Sequence, residues 1–198
     1  MRGRLFLFEG LDRTGKSTQA QLLADELQGR LYMFPDRSTP IGEAINRFLT
    51  DLSFDLSDES VHLLFSANRW ERASEIERLL SGGTHVVMDR YVYSGIAYSL
   101  AKDNACDATW LCSPRVGMEE LRTRDGWGSE RYEKEQFQIR VKECFFRVLR
   151  ADTDTSIEIV DVNGLGISEA QDALWAIVER RAMYDLTEDP LKRFEQLF

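Results

Sequence analysis

The run Phe8-Glu9-Gly10-Leu11-Asp12-Arg13-Thr14-Gly15-Lys16-Ser17-Thr18 has the residue types and spacing of a phosphate cradle, G-x-x-x-x-G-K-S. Glycines at both ends let successive backbone N–H groups turn inward around phosphate oxygens, and a following helix adds its positive end. Lys16 would neutralise terminal phosphates and the Ser17 hydroxyl would ligate Mg²⁺. Further on, Phe34-Pro35-Asp36-Arg37 sets an arginine whose fork of donors can grip a second phosphate; taken alone it is equally a surface arginine. Phe65 and Arg69 lie four residues apart, one above the other if helical. An aromatic ring beneath a guanidinium suits a flat base with a carbonyl at its rim, although a core phenylalanine and a solvated arginine give the same pattern. Asp89-Arg90-Tyr91 pairs a carboxylate fit for Mg²⁺ or its waters with an arginine able to bridge two phosphates. Arg124 to Glu133, rich in charge and carrying Gly126 and Gly128, has the composition of a closing lid, or of an ordinary surface loop.

The elements needed to position these groups are legible. Leu5-Phe6-Leu7-Phe8 reads as a strand feeding the glycine loop, and the leucines from Gln19 to Leu27 recur at helical spacing. Leu31 to Phe34 is a second strand stopped by Pro35. A short helix is expected over 41–49, and a long one over 59–80, capped by Ser57 or Asp58 and stopped by Gly82-Gly83. His85-Val86-Val87-Met88 is a buried parallel strand delivering Asp89 to its C-terminal edge, where open α/β sheets bind ligands. Helical stretches follow at 94–101, 119–124 and 133–149, then a last strand at 157–162 and a closing helix at 168–180. Alternating strands and helices predict an α/β fold with a parallel sheet covered on both faces.

The chain of 198 residues suits one domain, 1–198. Lys+Arg 25 against Asp+Glu 34 gives a net charge of -9, which argues against nucleic acid as the main partner. No apolar run approaches the ~18 residues that span a membrane, and none at the N-terminus suits a signal peptide. The 3 cysteines, Cys106, Cys112 and Cys144, have no metal-ligand spacing and are expected as reduced thiols. An intracellular, cytoplasmic protein is the expectation.

In their order along the chain these runs, together with Ser94-Gly95 and Glu130-Arg131-Tyr132-Glu133, resemble the thymidylate kinases, P-loop enzymes that make dTDP from dTMP with MgATP. The resemblance implies ATP as co-substrate, held by Gly10, Thr14, Gly15, Lys16, Ser17, Thr18, Arg124 and Asn163. It implies Mg²⁺ at Ser17 and Asp89, and catalysis by Lys16, Arg13, Arg90 and Asp12. Arg13 in the P-loop is similar to the eukaryote-type arrangement, in which that arginine reaches the transferring phosphoryl group. For dTMP it implies Asp12 near the 3′-hydroxyl and Phe34 in the pocket wall. Arg37 would take the phosphate, Phe65 would stack on thymine and Arg69 would bond its carbonyl. Arg90 would bridge the phosphates, Ser94 and Gly95 would belong to the dTMP site, Tyr98 would crowd the 2′ position, and Tyr132 and Gln138 would close over the nucleoside. A homodimer, with the 59–80 helix as its interface, is implied as well.

One departure stands against that pattern. Between Gly117-Met118 and Glu119-Glu120 relatives carry an apolar strand that lies beside the P-loop strand, and about a dozen residues are absent here, one strand and its flanks. Two outcomes are expected: the 157–162 strand takes the vacated place, with a right-handed crossover and a re-aimed lid, or the fold is seriously weakened. Two rival functions follow, a deoxynucleoside kinase and a non-catalytic nucleotide-binding variant of the family; a GTPase is disfavoured because no N-K-x-D signature is present.

Overall fold

A computed structural model describes residues 1–102, 129–149 and 154–189. Its elements are β1 (Leu5–Phe8), α1 (Lys16–Glu26), β2 (Arg30–Met33), α2 (Pro40–Thr50), α3 (Asp58–Ser81), β3 (Val86–Asp89), α4 (Val92–Lys102), α5 (Glu135–Leu149) and α6 (Ile167–Arg180). The three strands form one parallel sheet in the order β1-β3-β2, with Phe8 and Met33 both level with Asp89. All four residues of β3 are buried, as a strand covered on both faces requires.

Alternate residues of β3 serve opposite layers. Val87 meets Phe6, Ala20, Leu23 and Val178, so α1 and α6 cover one face. Val86 and Met88 meet Tyr32, Ile76 and Leu80, so α3 covers the other. The sheet flanked by helices on both faces is therefore as expected. A third apolar cluster joins Leu11 of the glycine loop to Ala97 and Ala101 of α4 and to Val141, Cys144 and Phe145 of α5. That cluster is what fixes the loop's outer side.

Helix ends follow local chemistry. The Ser57 side chain accepts from Ser60 N to start α3, and the Thr39 side chain accepts from Gly42 N to start α2, with Pro40 in the first turn. Gly82 closes α3.

Two expectations are corrected. The 157–162 segment is not a strand. Glu158 is held by Arg180 at 2.8 Å and Arg181 at 2.5 Å, and Val162 packs on the α4–α5 cluster, so the segment is tied to the end of α6 rather than to a sheet edge. Among the described residues β1 thus has β3 alone as a neighbour, and Leu5 on it is 41% exposed. Cys144, expected as a thiol, is disulfide-bonded; an odd cysteine count gives no pairing to read. Cys106, Cys112, the 119–124 helix, the break after Met118 and lid residues 124–128, Arg124 included, lie outside the described residues.

Candidate active site

The glycine loop forms because its backbone demands it. Gly10 has φ 143° and Gly15 φ 87°, conformations closed to most side chains, and Arg13 also has a positive φ of 61°. α1 begins at Lys16 with no side-chain cap, which leaves its first N–H groups free of a capping side chain and facing the loop. Lys16 Nζ donates to the Leu11 carbonyl and to Thr14 Oγ1 (3.3 Å). Enclosure of that ammonium, with Arg90 nearby, lowers its pKa from 10.5 to about 7.

At the end of β1 and β3 the metal-binding candidates meet. Ser17 Oγ donates to Asp89 Oδ2, while Asp89 Oδ1 is buried and has no hydrogen-bond partner. A hydroxyl beside an unsatisfied buried carboxylate oxygen fits Mg²⁺, which takes one or two protein ligands and keeps waters and phosphates for the rest. Among the described residues no cluster of three or more His, Cys, Asp or Glu offers a complete metal cage, so the fit is to an ion shared with substrate.

Arg90 is the hub. Its φ of 66° turns it back over the loop. Nη2 donates to Asp12 Oδ1 at 2.8 Å, Nη1 donates to Ser94 Oγ at 2.9 Å, and the guanidinium lies 5.5 Å from the centre of the Tyr98 ring. The other Asp12 oxygen accepts from Tyr98 OH at 2.8 Å and from Gln138 Nε2 at 2.7 Å. Burial alone would raise the Asp12 carboxyl, but Arg90, Lys16 and the two hydrogen bonds outweigh it and hold it below the usual range. Burial would lower Arg90, and the groups around it, Tyr98, Asp12, Glu9 and Asp89, overcome this and keep it charged. Tyr98 itself is pushed up, mainly by burial.

From this hub a cleft of about 690 Å³ runs away from the glycine loop, between Asp12 and Ser17 at one end and Phe65 and Arg69 of α3 further along. Phe34, Arg37, Arg90, Ser94, Gly95, Tyr98 and Tyr132 line it as well. Gly95 makes room for Arg69: a Cβ there would stand 2.9 Å from its guanidinium. The structure therefore brings together all the predicted acceptor-side residues, with Gln138 buried behind Asp12 and Tyr98. It does not bring Asn163, which is exposed on the turn before α6, into this cleft. Thr18 is exposed on the first turn of α1.

Four residues carry structure that sequence reasoning passed over. Glu9 accepts from Tyr91 N and Ser94 N, each at 3.0 Å, and from Ser94 Oγ, so it backs the serine that holds Arg90. Asn68, fully buried, accepts from Asp36 N at 2.8 Å and donates to Asp36 O at 3.0 Å, pinning the loop that carries Arg37. Glu133 grips Arg13 at 2.6 and 3.2 Å, and Glu130 grips Arg37 at 2.7 and 3.0 Å. Both glutamates stand in a run whose composition flagged a lid, but the arginines they face were not readable.

A phosphate loop, a magnesium-fit pair and an adjoining nucleotide-sized cleft narrow the class to phosphoryl transfer between nucleotides. The sequence pattern of the thymidylate kinases matches residues 8–173. The chain belongs to the thymidylate kinase family. Among relatives of this family, thymidylate kinase of Dictyostelium discoideum is 40% identical, the match covering 82% of this chain and 79% of that protein. Human thymidylate kinase is 39% identical over 82% of this chain and 84% of its own length. The solved structure of Candida albicans thymidylate kinase superposes with a TM-score of 0.87 at 44% identity, covering 96% of this chain and 97% of that one. The Dictyostelium alignment runs over 179 positions while 82% of this chain is about 162 residues, so some 17 positions face gaps here, in keeping with a lost strand. Family members use ATP as donor, generally with Mg²⁺. No helix among the described residues is long and apolar enough to cross a membrane.

One pH effect follows from Lys16. With its pKa lowered to about 7 by burial and by Arg90, the Lys16 amine is expected to lose its proton as the pH rises past neutrality in the free protein; polyphosphate bound against it would raise the pKa and draw a proton in. Titration of ATP calorimetrically at about pH 8, in buffers of different ionisation enthalpy, is expected to show net proton uptake. Lys16→Met should abolish it. Equal enthalpies in all buffers would mean that Lys16 takes up no proton when nucleotide binds, contrary to this expectation.

Proposed function

We propose that this chain transfers the γ-phosphoryl group of ATP to the phosphate of dTMP, giving dTDP and ADP. The observation that carries this reading is the single cleft joining the glycine loop to Phe65 and Arg69 by way of Arg90 and Asp12. ATP phosphates lie on the backbone of Gly10 to Thr18, against Lys16. Ser17 and Asp89 are the groups that would hold Mg²⁺, which supplies charge neutralisation at the donor phosphates. Arg37 takes the dTMP phosphate, Phe65 stacks on the base and Arg69 bonds its carbonyl. Asp12 meets the sugar's 3′-hydroxyl, and Tyr98, fixed by its bond to Asp12, leaves no room at the 2′ position. Tyr132 and Gln138 complete the wall.

An acceptor phosphate oxygen is already ionised at neutral pH, so no strong general base is needed. Alignment and charge carry the rate: Lys16, Arg13 and Arg90 neutralise the oxygens of the transferring group as donor and acceptor come into line. A deoxynucleoside kinase would instead act on a neutral hydroxyl and leave Arg37 without work. Product analysis separates the two: with MgATP and dTMP, dTDP and ADP should form in equal amounts, and thymidine should yield no phosphorylated product. Thymidine phosphorylation, or dTMP bound without transfer, would overturn the reading.

A homodimer through α3 belongs to the same proposal. Leu63 and Trp70, two turns apart on one face of that helix, are 66% and 75% exposed, apolar surface that α3 of a second copy would cover. Light scattering is expected to give twice the 22.9 kDa chain mass, and Trp70→Glu to return the monomer. A wild-type monomer at micromolar concentration would exclude the pairing.

A further inference from the structure

Two arginines meant for phosphate are each held by a carboxylate from the 129–133 segment, and the two pairs differ. Arg13–Glu133 is enclosed: the Glu133 side chain is 7% exposed and also accepts from Ser129 Oγ at 3.3 Å and from Glu130 N at 3.2 Å. Arg37–Glu130 is open, its partners 41% and 27% exposed, and Glu130 grips through its side chain alone. Between them Arg131 anchors the backbone. Its N–H bonds the Leu49 carbonyl, its guanidinium bonds the carbonyls of Phe48 and Phe54, each at 2.9 Å, and it stacks 4.3 Å above the Phe48 ring. The segment is thus clamped to α2, and Glu130 can leave Arg37 by a change of side-chain rotamer without moving its backbone. Asn46 Oδ1, 2.9 Å from Arg37 Nη1, keeps the guanidinium in place when it does.

We propose that Glu130 is a resident competitor for the acceptor's phosphate: its carboxylate occupies the fork of Arg37 in the free protein, and the substrate phosphate must displace it. The proposal rests on the reading that Arg37 receives that phosphate. A bidentate carboxylate and a phosphate present the same pair of acceptor oxygens to an arginine, so the two cannot share the fork. A phosphate dianion wins the exchange by charge. The carboxylate sets how much affinity remains after the swap, keeping the acceptor's ground state from being held too tightly and keeping Arg37 aligned between turnovers. An acceptor without a phosphate makes no exchange and bears none of the cost.

The test is calorimetric binding of dTMP and of thymidine to the full chain, comparing wild type with Glu130→Gln and Glu130→Asp. A partly exposed ion pair of this kind limits the effect to about three- to fivefold. Glu130→Gln is expected to bind dTMP about three- to fivefold more tightly with thymidine affinity unchanged, and Glu130→Asp, whose shorter carboxylate grips Arg37 less well, to fall between. Unchanged or weaker dTMP binding in Glu130→Gln overturns the proposal, as does equal tightening for thymidine. Arg37→Ala tells this failure from that of the underlying reading. If it weakens dTMP but not thymidine while Glu130→Gln does nothing, only the competitor role falls; if it leaves dTMP binding intact, the phosphate does not lie on Arg37 and both fall. Matching melting curves for the Glu130 variants exclude misfolding as the cause.

Discussion

Lys16→Met is expected to lower turnover by roughly two to three orders of magnitude, while dTMP affinity changes little. The loop's shape comes from Gly10 and Gly15, and α1 starts on Gly15 without a side-chain cap, so the backbone cradle should survive the substitution. What is lost is a charge in an enclosed position. At about 4 Å and an effective dielectric constant near 20, one such pair is worth ~4 kcal/mol, and the part that strengthens as charge moves to the leaving oxygen appears in kcat. Lys16→Arg should not rescue: the ammonium fits between the Leu11 carbonyl and Thr14 Oγ1, and a planar guanidinium does not fit that space. Steady-state rates with MgATP and dTMP check this. A variant that keeps more than about a third of wild-type turnover would remove Lys16 from the chemistry.

Arg13→Ala is expected to depress kcat about a hundredfold or more, with the KM for dTMP within about threefold of wild type. Two consequences of the substitution must be kept apart. The Glu133 carboxylate, 7% exposed, loses its bidentate partner, which lowers stability by roughly 1–3 kcal/mol because a buried acceptor is left short of donors. The transferring phosphoryl loses a cation, which lowers the rate. Adding Glu133→Gln to Arg13→Ala removes the stranded charge, so melting temperature should recover while kcat does not. Recovery of both would show that Arg13 acts only by holding the 129–133 segment. An unchanged kcat in Arg13→Ala would sink its role outright.

What the sequence made legible was local. The strand-loop-helix around Gly10 to Ser17 needs no distant partner to be recognised, because the glycine conformations, the lysine and the hydroxyl lie within eight positions. β3 was readable from its continuous apolar run, and Asp89 and Arg90 came with it. Helical spacing puts Phe65 and Arg69 on one face, but that spacing alone does not separate a base-binding pair from a core phenylalanine and a solvated arginine. The rest depends on pairs far apart in the chain: Arg37 with Glu130 and Arg13 with Glu133 are separated by 93 and 120 residues, and nothing in either neighbourhood selects the partner. Glu9 belongs by position to the loop motif, while its work is done on Ser94, 85 residues on.

The 157–162 segment failed for a related reason. Its alternating isoleucines have strand propensity, but a strand exists only with a neighbour in register, and Glu158 draws this segment to Arg180 and Arg181 instead. Among the described residues β1 is left as an edge, next to the loop on which the whole site depends. The residues lining the cleft nonetheless come together, because α4 and α5 share one apolar cluster, α3 packs on the sheet and on α2, and Asn68 of α3 pins the Arg37 loop. Among the described residues three strands are enough to bring these side chains to one edge of the sheet.

The most direct test of that account is ADP release from MgATP by the purified 198-residue chain, with dTMP compared against dUMP, dCMP, AMP, GMP and thymidine. Turnover highest with dTMP, and none with thymidine, is the predicted result. No turnover with any acceptor, from a chain that still binds dTMP, would contradict it and point to the residues absent after Met118.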